Sequence, residues 1–150
     1  MLKIGDKAPY FEGVDQDGNM RKLSELIDGK KLVLYFYPKD NTPGCTAEAC
    51  NLRDNYNTFL SRGYNVVGVS KDSQKSHVKF VEKFNLPFPL ITDPTTDIIK
   101  LYDCWGLKKF MGREFFGTLR KTFIINENGI IEDIIEKVET SSHSKQILKD

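Results

Sequence analysis

The chain has 150 residues, 39% of them hydrophobic and 11% aromatic, which is enough material for one packed core rather than two. Its 22 basic and 21 acidic residues leave a formal net charge of +1, so no strong field favours nucleic acid or an anionic membrane as a partner. No apolar run approaches the ~20 residues of a membrane-spanning helix and the first residues lack the pattern of a secretory signal, so we expect a cytoplasmic protein of one domain.

The first half of the chain alternates predicted strands and helices. The pair Asp17-Gly18 predicts a small hairpin near the N-terminus. The apolar run Lys31–Tyr37 predicts a strand that is buried on both faces of a sheet. After a polar, turn-rich stretch, apolar residues recur at helical spacing over Cys45–Gly63, and this glycine is a favourable helix stop. Tyr64–Ser70 predicts the next strand.

The second half continues this alternation and then forms a hairpin. A helix is predicted over Ser73–Asn85, with Val78, Val81 and Phe84 facing the sheet, and a short strand follows within 88–93. The next helix is predicted over Pro94–Tyr102, with Ile98, Ile99 and Tyr102 in the core. The remaining predicted elements are a loop over 108–117, strands over Thr122–Ile125 and Ile130–Ile135, and a final helix from about Ser142. The turn over 126–129 is the strongest hairpin signal in the chain. This order of elements predicts an α/β sandwich with a mixed central sheet.

Cys45 follows a buried strand and a turn rich in Gly and Pro, at the point where the next helix begins. Unpaired backbone N–H groups and the positive end of the helix dipole favour an anion at such a place. We therefore expect a readily ionised, nucleophilic thiol at Cys45. The alternative is a small apolar residue of the core.

Cys50 lies five residues after Cys45. In a regular helix this spacing separates the two Cα atoms by ~8–9 Å and turns the side chains ~140° apart. A disulfide tolerates at most about 7 Å between Cα atoms, so a bond between these cysteines would require the helix to unwind locally. The spacing alone does not prove that they pair, and Cys50 as an inert buried thiol stays open.

The segment around Cys45 carries a pattern of several parts: Pro38-x-x-x-Thr42-x-x-Cys45, followed by Thr46 and Glu48. It resembles the active-site signature of the peroxiredoxins, and the Cys-x₄-Cys spacing resembles the peroxiredoxin Q subfamily, also called bacterioferritin-comigratory protein. Similarity extends to residues 5–9, 35–38 and 105–112, so it covers nearly the whole chain. The resemblance implies a single thioredoxin-like domain over residues 1–150, in which helices flank a mixed central sheet and a β-hairpin extends the N-terminus.

The same resemblance implies a thioredoxin-dependent peroxidase of the atypical two-cysteine type. Cys45 would be the peroxidatic cysteine that attacks hydrogen peroxide or an organic hydroperoxide and becomes a sulfenic acid. Cys50 would be the resolving cysteine that closes an intramolecular disulfide. Thioredoxin or a similar dithiol would then reduce this disulfide. The subfamily resemblance favours a monomer, with a dimer left open.

Roles for the other site residues also follow from the resemblance. Thr42 would place its hydroxyl on the peroxide oxygen and the sulfur, and Pro38 would shield the pocket from water. Arg120 would hold the thiolate and polarise the peroxide, and Glu48 would orient its guanidinium. The N–H groups of Gly44 and of the nucleophile itself would stabilise charge on the breaking O–O bond. Each residue also has a structural alternative: a turn or cap, a strand end, a solvated charge, or a carboxylate stabilised by the helix dipole.

Several rival assignments compete with this one. Arg53 and Arg113 compete with Arg120, while His77 and His143 lie in polar surroundings that predict surface positions. The chain lacks the CxxC of a thioredoxin-type oxidoreductase, the nearby arginine of a cysteine phosphatase and the paired spacings of a zinc site. We therefore expect no metal and no other cofactor. Cys104 is predicted to be a bystander at a helix end. A redox sensor that uses the same thiol is the non-enzymatic alternative, and catalytic turnover would separate the two.

Overall fold

A computed structural model describes residues 1–150. The strands are β1 (Glu12–Asp15), β2 (Met20–Lys22), β3 (Lys31–Phe36), β4 (Tyr64–Ser70), β5 (Leu90–Thr92), β6 (Trp105–Phe110), β7 (Arg113–Thr118), β8 (Lys121–Ile125) and β9 (Ile131–Ile135). The helices are α1 (Leu23–Ile27), α2 (Pro43–Asp54), α3 (Tyr56–Ser61), α4 (Gln74–Phe84), α5 (Asp97–Leu101) and α6 (His143–Leu148), and a 3-10 turn over Thr140–Ser142 precedes α6. None of the helices is both long and apolar enough to cross a membrane.

Seven strands form one mixed sheet in the order β2-β1-β5-β4-β3-β8-β9. The strand β3 lies near its centre, parallel to β4 and antiparallel to β8. Alternate side chains of β3 enter two hydrophobic clusters, one under α1 and α5 and the other under α2, α3, α4 and α6. This arrangement explains why β3 is buried and almost wholly apolar after Lys31, and it confirms the predicted α/β sandwich with a mixed sheet and an N-terminal hairpin.

The helix predicted over Cys45–Gly63 is two helices rather than one. The first, α2, begins at Pro43, and the chain leaves helical geometry at Asn55, where φ is −109° and ψ is 12°. The Asn55 side chain donates to the carbonyl of Asn51 at 2.8 Å, a local bond that competes with continued helix. Gly63 has φ +84° and ends the segment as predicted.

The loop predicted over 108–117 is wrong, because this segment belongs to the β6–β7 hairpin. Its strands pair from Trp105 opposite Thr118 to Phe110 opposite Arg113. The turn uses Met111 and Gly112, both with positive φ, at 50° and 78°. Such two-residue turns normally carry Asn, Asp or Gly at the first position, so the methionine hides the hairpin signal.

The helix α4 packs two of its predicted core residues, Val81 and Phe84, against the hydrophobic cluster, but its most buried side chains are different ones. Its N-cap Ser73 accepts a hydrogen bond from the backbone of Ser76, in agreement with the predicted start. The fully buried side chains are His77 and Phe80, whereas Val78 is only half-buried. The predicted surface position of His77 is therefore wrong. The second half of the chain otherwise follows the prediction, although α5 begins at Asp97 and is shorter than expected.

Candidate active site

The central strand β3 delivers Cys45 to the first turn of α2. Thr42 is the N-cap, and the first bond of the helix runs from the N–H of Thr46 to the carbonyl of Thr42 at 2.8 Å. The N–H groups of Gly44 and Cys45 precede this bond and have no acceptor within the helix, and Pro43 has no N–H to offer. The sulfur is thus held where the backbone stabilises an anion, as the sequence predicts, although Cys45 is only 2% exposed.

The antiparallel register of β3 and β8 brings Arg120 to the same end of the sheet. Phe36, the last residue of β3, lies opposite Lys121, so the residue before Lys121 faces the start of α2. The Nη2 of Arg120 donates to the sulfur of Cys45 at 3.3 Å. Burial alone would lower the pKa of Arg120, but the adjacent sulfur and the carboxylate of Glu48 outweigh it and raise that pKa. The guanidinium therefore stays charged against the sulfur.

The two competing arginines lie elsewhere. Arg53 pairs with Asp54 at 2.9 Å and donates to the carbonyl of Phe84 at 2.7 Å. Arg113 is exposed at the turn of the β6–β7 hairpin. Of the three candidates, Arg120 is the one that contacts Cys45.

Glu48 is fully buried and binds the other nitrogen of the same guanidinium. Its Oε1 accepts from Nη1 of Arg120 at 2.6 Å, while its Oε2 has no hydrogen-bond partner. Burial raises the pKa of Glu48 to about 7, against the lowering effect of Arg120. The carboxyl group therefore changes charge near neutral pH, one guanidinium away from the sulfur.

His143 completes this cluster, and the predicted surface position for it is wrong. Its Nε2 lies 2.7 Å from the hydroxyl of Thr122 and 3.5 Å from Oε2 of Glu48, and its Nδ1 lies 2.7 Å from Oε1 of Gln146. The ring is fully buried, and this burial lowers its pKa, with Arg120 adding to the effect. No local pattern marks this residue as buried, because two of its partners, Thr122 and Glu48, come from β8 and α2.

Thr42 and Pro38 lie in the segment between β3 and α2, and both are half-buried. The hydroxyl of Thr42 donates to the carbonyl of Lys39 at 2.8 Å and makes no hydrogen bond to the sulfur. In this structure Thr42 closes the turn that begins α2, and its oxygen keeps lone pairs for an incoming donor.

Cys50 lies in the same helix as Cys45, and both are free thiols. Because α2 is continuous from Pro43 to Asp54, helix geometry separates the two Cα atoms by ~8–9 Å. Asn51, next to Cys50, accepts from the backbone of Ser144 at 2.7 Å and ties α2 to the start of α6. A disulfide between these cysteines requires part of this helix to unwind.

Cys104 lies in the hydrophobic cluster on the opposite face of the sheet. Its thiol is fully buried and donates to the carbonyl of Tyr102 at 3.4 Å. Burial raises the pKa of Cys104 to about 12. The structure does not bring it to Cys45.

One group of side chains has the spacing of metal ligands. Donor atoms of Asp40, Asp72 and His77 all lie within 4.8 Å of one another. Nδ1 of His77 lies 2.7 Å from Asp40, whose carboxylate also accepts from Ser76 at 2.8 Å, while Asp72 accepts from Ser70 at 2.6 Å. These hydrogen bonds already engage the donor atoms, and the group fixes the loop before α2 to the start of α4.

Comparison with known proteins gives concordant matches. The model of the AhpC/TSA family matches residues 4–134. Peroxiredoxin Bcp from Bacillus subtilis is 45% identical over 148 residues, which cover 99% of this chain and 94% of that protein. Peroxiredoxin Bcp from Escherichia coli is 40% identical over 147 residues, which cover 98% of this chain and 94% of that protein.

Solved structures agree with these sequence matches. The crystal structure of a cysteine-to-serine variant of PrxQ from Xylella fastidiosa superposes with a TM-score of 0.92 at 31% identity, over 99% of this chain and 94% of that one. The crystal structure of peroxidoxin BcpB from Mycobacterium tuberculosis superposes with a TM-score of 0.88 at 31% identity, over 99% of this chain and 96% of that one.

Proposed function

The chain belongs to the AhpC/TSA family and, within it, to the peroxiredoxins of the Q or Bcp type, and from this premise we propose that it reduces hydrogen peroxide and organic hydroperoxides through Cys45 and Cys50. Its fold is the thioredoxin-like sandwich of that family, and its activity is that of a thiol-dependent peroxidase. We also propose which residues carry each step, which reductant restores the thiols and which assembly state is active.

In the first step, the thiolate of Cys45 attacks the terminal oxygen of the peroxide. The sulfur gives an electron pair to that oxygen, the O–O bond breaks, and the leaving alkoxide or hydroxide takes up a proton to become alcohol or water. The sulfur is oxidised to a sulfenic acid and the peroxide is reduced. Arg120, whose Nη2 is 3.3 Å from the sulfur, stabilises the thiolate and the charge that develops on the breaking bond.

Three further groups assist this step. The N–H groups of Gly44 and Cys45 at the start of α2 stabilise the developing charge. Thr42 exchanges its bond to Lys39 for one to the bound peroxide, which orients the terminal oxygen towards the sulfur. Pro38 limits the access of water to this pocket.

In the second step, α2 unwinds and the thiol of Cys50 attacks the sulfenic acid. A sulfur–sulfur bond forms, the S–O bond breaks, and water leaves. The unwinding separates the two steps, because Cys50 is too distant to react while the helix is intact. An external dithiol of the thioredoxin kind then reduces the disulfide by exchange and is itself oxidised.

We propose that the protein works in the cytoplasm and as a monomer. Such a dithiol belongs to reducing compartments, so we place the protein in the cytoplasm. Cys45, Cys50, Glu48 and Arg120 all come from one chain, so a monomer is sufficient for catalysis. Neither step requires a metal, flavin or haem.

The single observation that carries this proposal is the contact between Arg120 and the sulfur of Cys45 at the start of α2. The experiment follows hydrogen peroxide consumption with a thioredoxin system as the electron source, for the unmodified protein, Cys45→Ser and Cys50→Ser. We expect sustained turnover by the unmodified protein, none by Cys45→Ser, and a single turnover by Cys50→Ser.

Two results would overturn the proposal. Full multi-turnover activity of Cys45→Ser would show that another group attacks the peroxide. Consumption of only one equivalent of peroxide by the unmodified protein, despite a working thioredoxin system, would favour a redox sensor.

A further inference from the structure

His143 is fully buried, yet no step of the proposed reaction uses it. It is the first residue of α6, and its Nε2 lies 3.5 Å from Oε2 of Glu48. That oxygen is buried and has no hydrogen-bond partner. A buried carboxylate oxygen without a donor is costly, so its position opposite an imidazole nitrogen suggests a role for the pair.

The surrounding hydrogen bonds determine which nitrogen of His143 carries a proton. Nε2 of Gln146 donates to the carbonyl of Lys137 at 2.9 Å, and its Oε1 accepts from the N–H of Glu139 at 2.9 Å. Since Oε1 only accepts, Nδ1 of His143 at 2.7 Å must donate to it. Nε2 of a neutral ring is then an acceptor, and the hydroxyl of Thr122 at 2.7 Å donates to it.

With His143 neutral and Glu48 ionised, no proton lies between Nε2 of His143 and Oε2 of Glu48. A lone pair on Nε2 then faces Oε2 of Glu48, and a single added proton would join them by a hydrogen bond. The charged and titratable groups that face the pair are Arg120 from the segment before β8, Cys45 from α2 and the phenol of Tyr35 from β3. Burial raises the pKa of Glu48 to about 7 and lowers that of His143, so the added proton resides on Glu48.

We propose that His143 is a positioning residue of the peroxidase site, which acts through Glu48 to set how firmly Arg120 holds the sulfur of Cys45. The inference rests on the proposed function and adds a residue to it. His143 touches neither the sulfur nor the peroxide. It offers Nε2 as the acceptor for a proton on Glu48 and so sets the pH at which Glu48 loses its charge. Ionised Glu48 anchors Nη1 of Arg120 at 2.6 Å while Nη2 contacts the sulfur.

The test measures the second-order rate constant between the reduced protein and hydrogen peroxide from pH 5 to pH 9. In His143→Leu, protonated Glu48 loses its acceptor, so we expect the acid side of the profile to move down by roughly one pH unit, which is a gain of about tenfold below the midpoint. In His143→Gln, the amide oxygen can replace Nε2 as the acceptor, so we expect the rate at pH 7 to stay within about threefold and the profile not to shift.

Thr122→Val is a second variant that conserves side-chain volume. It removes the donor to Nε2 of His143, so that Nε2 accepts more strongly from protonated Glu48, and we expect the acid side of the profile to move up, opposite to the shift in His143→Leu. Glu48→Gln is the matched background, because it removes the titrating carboxyl group. In that background His143→Leu should produce no further shift. An equal loss of rate at every pH in His143→Leu and Thr122→Val, without a shift, would show a merely structural role and overturn the inference.

Alkylation of Cys45 by iodoacetamide over the same pH range separates this inference from the proposed function. It reports how Arg120 stabilises the thiolate, and it involves no peroxide. If the unmodified protein reduces no peroxide but His143→Leu still shifts the alkylation profile, the proposed function fails and the inference stands. If peroxide reduction is normal and neither profile shifts, the inference fails alone.

Discussion

Two of the three cysteines are almost equally buried, yet their surroundings are opposite. Cys45 is 2% exposed and Cys104 is fully buried. Cys45 lies at the start of a helix with a guanidinium 3.3 Å from its sulfur, whereas Cys104 lies in a hydrophobic cluster where burial raises its pKa to about 12. Burial by itself therefore does not decide whether a thiol is reactive. We propose that the cation and the helix N-terminus around Cys45 decide it, because positive charge next to a sulfur stabilises the thiolate that an apolar environment penalises.

Removing the cation should make Cys45 resemble Cys104. We expect Arg120→Met, which keeps much of the side-chain length, to lower the rate constant for peroxide reduction by roughly 100-fold or more, as for the loss of one strong donor to a transition state. Stopped-flow measurement of peroxide reduction by the reduced protein checks this. Arg53→Met, which alters an arginine that pairs with Asp54, is the matched control and should keep its rate. Equal effects of both variants would mean that Arg120 is not specific to the sulfur.

A second test concerns how the free energy of unfolding depends on the charge of Glu48, the residue that binds Arg120. Burial raises the pKa of Glu48 from 4.5 to about 7 despite Arg120, so the folded state holds that proton more tightly than the unfolded state does. The resulting stabilisation is full below about pH 4.5 and is lost as the pH rises through 7. Relative to Glu48→Gln, we expect the free energy of unfolding of the unmodified protein to fall by up to about 3 kcal/mol between pH 4.5 and pH 8.

Urea unfolding at each pH measures this difference. The exposed residue Glu82 offers a control, since Glu82→Gln should show no such trend. A constant difference between the unmodified protein and Glu48→Gln across the range would contradict the assigned titration of Glu48.

We expect the smallest effect on activity and stability from replacing Cys104, the thiol in the hydrophobic cluster. Cys104→Val conserves volume approximately, so we expect a change in the free energy of unfolding below about 1.5 kcal/mol and an unchanged rate of peroxide reduction. Thermal or urea unfolding and the peroxide assay together check this. A large loss of activity without a loss of stability would assign Cys104 a chemical role that its surroundings do not support.

Local patterns predicted much of the fold and the first contacts of the site. The buried run of β3, the strand β4 and the start of a helix at Cys45 follow from features within a few residues of each position. A local pattern could not identify the arginine that contacts the sulfur, because β8 meets β3 only in the folded sheet. Resemblance to the peroxiredoxins supplied Arg120, and the register of Phe36 with Lys121 explains its position.

The two wrong predictions about histidines share a physical cause. His77 and His143 lie in polar segments, but each ring is buried against a partner that is distant in sequence, Asp40 in one case and Thr122 in the other. A polar neighbourhood in sequence therefore does not imply exposure when hydrogen bonds are supplied by other elements. The β6–β7 hairpin was likewise hidden by a turn that carries a methionine in the left-handed region.

The most direct test of the account is mass spectrometry of peptides after the reduced protein has reacted with one equivalent of hydrogen peroxide, with free thiols blocked before digestion. The account predicts a peptide in which Cys45 and Cys50 are joined by a disulfide, with Cys104 recovered as a blocked thiol. Recovery of Cys45 as a blocked thiol, with oxidation at Cys104 instead, would contradict the claim that the guanidinium and the helix start, rather than accessibility, select the reactive sulfur.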